Sequence, residues 1–187
     1  MHKKGSTIIL VAFVFTLAIL LLGYLSFGFL TALIFTSGFL GGFLFWVLVP
    51  SKALYDAIKT PFWITFLLFI VHRIEEKVFG FFDSLSEITG IPTPEILSLP
   101  IILLVLTSVV AWLAIPYLVK RGNAFGYYLA WTFFAAMGIT ELAHFIFPFF
   151  TDKPYGYFPG MASVCLLAPV AWWGMLRLIY SQKEPNY

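Results

Sequence analysis

Charge and cysteine are both scarce in this chain of 187 residues: Asp, Glu, Lys and Arg make up 11%, and Cys165 is the one cysteine. A single thiol excludes an intramolecular disulfide and a cysteine-only metal site, and leaves Cys165 to be read as a small packing residue. The net charge of +2 is small and scattered, which excludes the basic surface that nucleic-acid binding requires. His-Glu-x-x-His, Gly-x-Ser-x-Gly and P-loop patterns are also absent, so the chemistries those motifs carry have no foothold here.

Apolar residues fill the space. They make up 61% of the chain, aromatic residues 20%, with 22 Phe, 9 Tyr and 6 Trp. Mean hydropathy is +0.96. This composition lies outside the soluble range and reads as an integral membrane protein, with Phe facing lipid and Tyr and Trp at the interfaces. The fold expected is all-α: one polytopic bundle of about six transmembrane helices.

Residues 5–48 carry no charge and, at roughly 20 residues per span, are long enough for two helices, 5–23 and 28–48. The stretch from Gly23 to Gly28 is the natural turn. His2-Lys3-Lys4 has the look of a signal peptide's basic head, but the apolar run after it is too long and has no small-x-small cleavage site, so it is read as retained. Gly38 and Gly42 form a GxxxG spacing; its functional reading is a homo-oligomer, its structural one close packing within the chain. Residues 52–59 read as an amphipathic stretch at the interface, and Pro61 as the first turn of a third helix over 61–82. An acidic loop over 83–98 follows. Further spans are expected at 99–119, which looks purely structural, at 124–147, which is rich in small residues, and at 159–180, adjusted near Pro169.

Lys3, Lys4, Lys52, Lys59, Lys120, Arg121, Arg177 and Lys183 all fall on one side of this arrangement. By the positive-inside rule both termini are cytoplasmic, in what is read as the cell membrane.

Two segments break the apolar pattern. In the third span stand His72, Arg73, Glu75, Glu76 and Lys77; in the fifth stand Glu141 and His144. Ionisable residues cost about 2.5 to 3.5 kcal/mol each at mid-membrane on insertion scales, so they face partners, a cavity or a ligand. At about 1.5 Å of rise per residue, His72 lies about 16 Å into its helix, Glu76 about 22 Å and Glu141 about 25 Å into theirs, so the carboxylates are level and the two helices are expected to meet. His72 shares a face with Glu75 and Glu76, and Glu141 with His144. Glu75 and Glu76 are about 100° apart, so one can coordinate while the other acts as base.

The candidate metal ligands are therefore His72, Glu75, Glu76, Glu141 and His144, and the candidate catalytic residues Glu75, Glu76 and Tyr157. Two imidazoles and a carboxylate suit zinc with an open position, and Glu-x-x-His spacing recurs in helical di-iron proteins. Three glutamates and two neutral imidazoles carry a formal −3 against Arg73 and Lys77, which a divalent cation would offset. The competing reading has no metal: Arg73 pairs with Glu76 at i+3, Lys77 snorkels outward, and Glu141 and His144 hydrogen-bond between helices. Tyr157-Phe158-Pro159-Gly160 opens the sixth span at the same end, where Tyr157 either directs its hydroxyl to the site or anchors the interface.

Together, His72-x-x-Glu75-Glu76, the later His144 and Tyr157-x-Pro159-Gly160 resemble the pattern of the HXXEE-motif membrane protein family, a domain of unknown function. The resemblance implies that His72, Glu75, Glu76, His144, Tyr157, Pro159 and Gly160 belong together, in a family with a suggested metal-binding role. Glu141 joins them on spacing alone. The emopamil-binding sterol isomerases, which also set His and Glu in a small helical bundle, offer an analogy for a lipid-binding acid/base pocket. Three functions follow: a metal-dependent enzyme acting on a lipid or other apolar substrate, a non-catalytic protein that binds or transports an ion or proton, or a cluster that only glues helices.

Overall fold

The computed structural model describes residues 4–51, 53–93, 95 and 97–180. Lys3, Lys52 and Lys183, used above for orientation, lie outside them. Among the described residues the protein is all-helical, with seven α-helices and two short 3₁₀ turns.

The first apolar run is α1, Ser6–Leu48, whose helical geometry fails at Gly28 with φ 71° and ψ 178°. A straight helix of that length would be about 65 Å long, twice a bilayer core, so it must fold back. Gly28 does this with a positive φ that a side chain would oppose. The two arms, Ser6–Phe29 and Thr31–Leu48, lie antiparallel: Lys4 donates to the carbonyls of Trp46, Val47 and Val49, and Phe13 meets Phe43 at 5.9 Å. The turn thus falls at the last residue of the stretch expected to hold it.

Helix α2, Tyr55–Val78, begins earlier than expected. Leu54 is extended, Asp56 supplies an acid to the first turn, and residues from Tyr55 onward wind directly into the span, so they are helix and not a separate interfacial element. Pro61 consequently lies inside the helix, not in its first turn. At the other end the chain breaks at Phe79 and Gly80, and α3, Phe81–Thr89, follows. The first part of the expected loop, residues 83–89, is therefore helical. Phe81 and Leu85, four residues apart, are buried on one face, and Phe82 stacks on Phe27 at the hairpin tip.

Helix α4, Leu99–Leu113, and α5, Ile115–Lys120, meet at Ala114 and together make one span. Helix α6, Ala124–Gly138, is the axis of the bundle, with every residue from Gly126 to Gly138 buried. Gly38 and Gly42 of α1 pack against Ala136 and Thr132 of α6, the close packing within the chain that was the structural reading of their spacing. Phe62 of α2 meets Phe133, Trp112 of α4 donates to Thr132, and Gly174 of α7, Met161–Ile179, lies against Phe134.

Among the described residues five helical segments, the two arms of α1, α2, α4 with α5, and α7, are long and apolar enough to cross a membrane. The shorter α6 stands among them, which accords with a bundle of about six. Tyr127 donates to the Ala53 carbonyl, so α2 and α6 start at the same end. Lys120 sits over the Tyr55 ring there, and the charged cluster lies at the other end. Cys165 is exposed, not packed, because it falls on the outer face of α7.

The fifth helix does not reach Phe147. It stops at Gly138, whose carbonyl accepts a 2.5 Å bond from the Trp172 indole, and Ile139 leaves helical geometry at φ −124°. The amide of Leu142 turns to the Ile139 carbonyl, three residues back, and the chain tightens into 3₁₀ turns at Thr140–Phe145 and Phe147–Phe150.

Candidate metal centre

The tighter winding decides how Glu141 and His144 point. In a 3₁₀ turn, residues three apart eclipse each other, so both side chains leave the backbone in the same direction. They face His72 and Glu76, which lie one turn apart on α2. All four are buried, with exposures of 0% for His72, 4% for Glu76, 7% for Glu141 and 1% for His144. One ligand atom from each lies within 4.8 Å of the others.

The outer atoms of these groups are all engaged elsewhere. His144 Nδ1 lies 2.6 Å from the Pro159 carbonyl, which can only accept, so Nδ1 carries the hydrogen. Ser163 donates its one hydrogen to the Gly160 carbonyl at 3.1 Å and accepts from His72 Nδ1 at 2.8 Å. In each neutral imidazole the lone pair is therefore on Nε2, facing inward. Arg73 takes the outer carboxylate oxygens, Glu76 Oε2 at 2.7 Å and Glu141 Oε1 at 2.5 Å. Sequence reasoning saw its i+3 pair with Glu76; the structure adds the bridge to Glu141.

With both imidazoles neutral, what remains inside is four acceptors. His72 Nε2 lies 3.4 Å from Glu76 Oε1 and 3.2 Å from Glu141 Oε2; His144 Nε2 lies 3.3 Å from each of the same two oxygens. Glu76 Oε1 is buried without a hydrogen-bond donor. Lone pairs crowded in this way repel unless something positive sits among them. Metal bonds of about 2.0 to 2.1 Å set neighbouring ligand atoms about 3.3 Å apart, as the four nitrogen–oxygen separations are, while the set as a whole spans up to 4.8 Å. Two imidazoles and two carboxylates are a donor set that could hold a metal ion.

Aromatic rings wall the centre. Phe81 lies 4.9 Å from the His144 ring, Phe147 5.8 Å and Phe158 6.2 Å, while the two imidazoles meet edge to face at 4.8 Å. Gly160 closes another side at φ 99°, and a Cβ there would stand 2.5 Å from the His144 ring and 2.9 Å from that of His72. The Pro159-Gly160 pair thus brings a carbonyl and a bare α-carbon against the imidazoles.

Glu75 and Tyr157, expected in the centre, lie outside it. Glu75 Oε1 accepts from the Tyr157 hydroxyl at 2.6 Å and the Ala162 amide at 3.0 Å, and Oε2 from the Ser163 amide at 2.8 Å. Tyr157 packs against Phe79 at 5.5 Å and is 55% exposed. Partial burial, with the Glu75 carboxylate beside it, pushes its phenol up to about 12, so it remains a donor. Ser163 went unnoticed in the sequence; its one signal is a small hydroxyl three residues after Gly160.

Residues 63–174 match the family model described as a protein of unknown function with HXXEE motif. Searches of curated proteins and of solved structures found no match.

Proposed function

Because the chain belongs to the family of proteins of unknown function with the HXXEE motif, we propose its function from the site itself: it holds a divalent cation between His72, Glu76, Glu141 and His144. One observation carries the reading, the convergence of four acceptor atoms whose outer partners are already taken. Zinc suits the donor set, with iron as the alternative. A cation bound there supplies Lewis acidity toward a carbonyl or phosphoryl oxygen. The apolar setting then favours a lipid or other apolar substrate, with one of Glu76 and Glu141 leaving the cation to act as the carboxylate base while the other stays with His72 and His144 as a ligand.

A second reading is favoured by the closed walls: with four protein donors and rings around them, the site suits an ion held or passed on without chemistry. Turnover of a lipid separates the first from the second, and ion flux in liposomes marks transport.

Metal analysis of detergent-purified protein tests the shared premise. Wild type is expected to carry stoichiometric zinc or iron, and His72→Ala or His144→Ala to lose most of it while far-UV circular dichroism is unchanged. Wild type without metal, indistinguishable from either variant, would replace the proposal by an ion-pair network of protonated imidazoles and carboxylates.

We also place both termini in the cytoplasm. Lys4, Lys59, Lys120, Arg121 and Arg177 support it, since they lie toward the end of the bundle away from the cluster. Single cysteines in a Cys165→Ser background, near Glu87 and near Lys120, should label from opposite sides of the membrane. Labelling from one side rejects the topology.

A further inference from the structure

We propose that Glu75 is a positioning residue: by clasping the start of α7 it sets the inward-facing tautomer and the orientation of both imidazoles. The proposal rests on the metal reading for its purpose, though its geometry stands apart from any ion.

Every partner of Glu75 is a donor. Tyr157 O–H and the Ala162 and Ser163 N–H groups engage both of its oxygens, so the carboxylate sits in an anion's seat at the start of α7. Helix α7 has no side-chain cap from its own sequence, its N-cap being Gly160. Glu75 supplies the missing acceptor from α2, where the unpaired amides and the positive end of the helix dipole favour a carboxylate.

The stretch held in this way is the one that fixes the imidazoles. Pro159, whose carbonyl takes the His144 Nδ1 hydrogen, lies between Tyr157 and Ala162, both bound to Glu75. Ser163 joins the two systems directly, with its amide on Glu75 and its hydroxyl on His72. If the clasp loosens, both Nδ1 acceptors shift and either ring can turn or change tautomer. Outer partners of metal-bound histidines act in this way, and their loss typically costs about 10- to 100-fold in metal affinity.

Two measurements on full-length protein test this. In metal-free protein labelled with ¹⁵N-histidine and held at a pH high enough to keep the imidazoles neutral, wild type should show His72 and His144 as Nδ1–H tautomers, with His2 as the other imidazole. Glu75→Gln, which must turn an NH₂ toward backbone amides, should shift both toward a mixture. Tyr157→Phe, removing one of the three bonds, should do so less. With cobalt(II) as probe, Glu75→Gln should bind about 10- to 100-fold more weakly with an altered visible spectrum, whereas Glu76→Gln should abolish binding. Unchanged tautomers in Glu75→Gln overturn the proposal, as does loss of cobalt as complete as in Glu76→Gln, which would make Glu75 a ligand. Wild type that binds no cobalt, with tautomers that shift as expected, rejects the metal reading alone and leaves the positioning role standing.

Discussion

Gly160→Ala protein is expected to retain less than about a tenth of the wild-type metal, in line with the cost of disturbing the partners of metal-bound histidines, and to unfold at a lower temperature. Two costs coincide at this position. The backbone has φ 99°, where a residue with a Cβ is strained by about 1 to 3 kcal/mol. The new methyl would also stand 2.5 Å from His144 Cε1 and Nδ1 and 2.9 Å from His72 Cε1. These rings cannot step aside, since His144 is tied to the preceding carbonyl and His72 to Ser163, and Phe81 and Phe147 close in behind His144. Movement of either ring takes an Nε2 lone pair off the centre. Metal analysis and a thermal melt of the variant beside wild type measure both effects. A variant with full metal content and an unchanged melt would mean that Gly160 does not wall the site as described.

Gly42→Val is expected to lower stability more than most single changes, while Gly41→Ala, one residue away, is nearly silent. A Cβ at Gly42 would stand 2.5 Å from the Thr132 amide nitrogen and 2.8 Å from the Trp131 carbonyl carbon, and closer still to Thr132 Cα. All are backbone atoms of the central helix and have no rotamer to change. The second arm of α1 would have to separate from α6; overpacking of this kind costs about 1 to 3 kcal/mol, and more where nothing can yield. Around a Cβ at Gly41 there is nothing within 4 Å. The same arm reaches the metal centre's support through the 3.0 Å bond between Ser37 and Thr140, so metal content should fall with stability. Melting curves in detergent decide it: equal behaviour of the two variants would rule out the close packing of the arm on α6.

The parts of this arrangement that were legible in the sequence are those set by burial and by spacing along a helix. His72 and Glu76 had to share a face, and Glu141 and His144 had to answer them, because charge in an apolar run needs a partner. The 3₁₀ turn was not legible, since a three-residue spacing aligns Glu141 with His144 in either winding and the Trp172 indole that ends α6 comes from 34 residues later. Helical spacing also separated Glu75 from Glu76 without saying which faced inward. That is settled by the first turn of α7, whose amides claim Glu75, and sequence periodicity carries no record of such a contact. Helix α3 was missed for a simpler reason: the acidic residues near it outweighed the four-residue interval between Phe81 and Leu85.

Arg73 changes the sign of the question the cluster poses. With Glu75 withdrawn to α7, the interior holds two carboxylates against one guanidinium, a formal charge of −1. Empty, the site is one proton short of neutrality. Filled by a divalent ion, it overshoots by one positive charge in surroundings that screen poorly. The filled state therefore has an electrostatic appetite for an anion, and a visitor that carries or develops negative charge at the centre would find its counter-charge already installed.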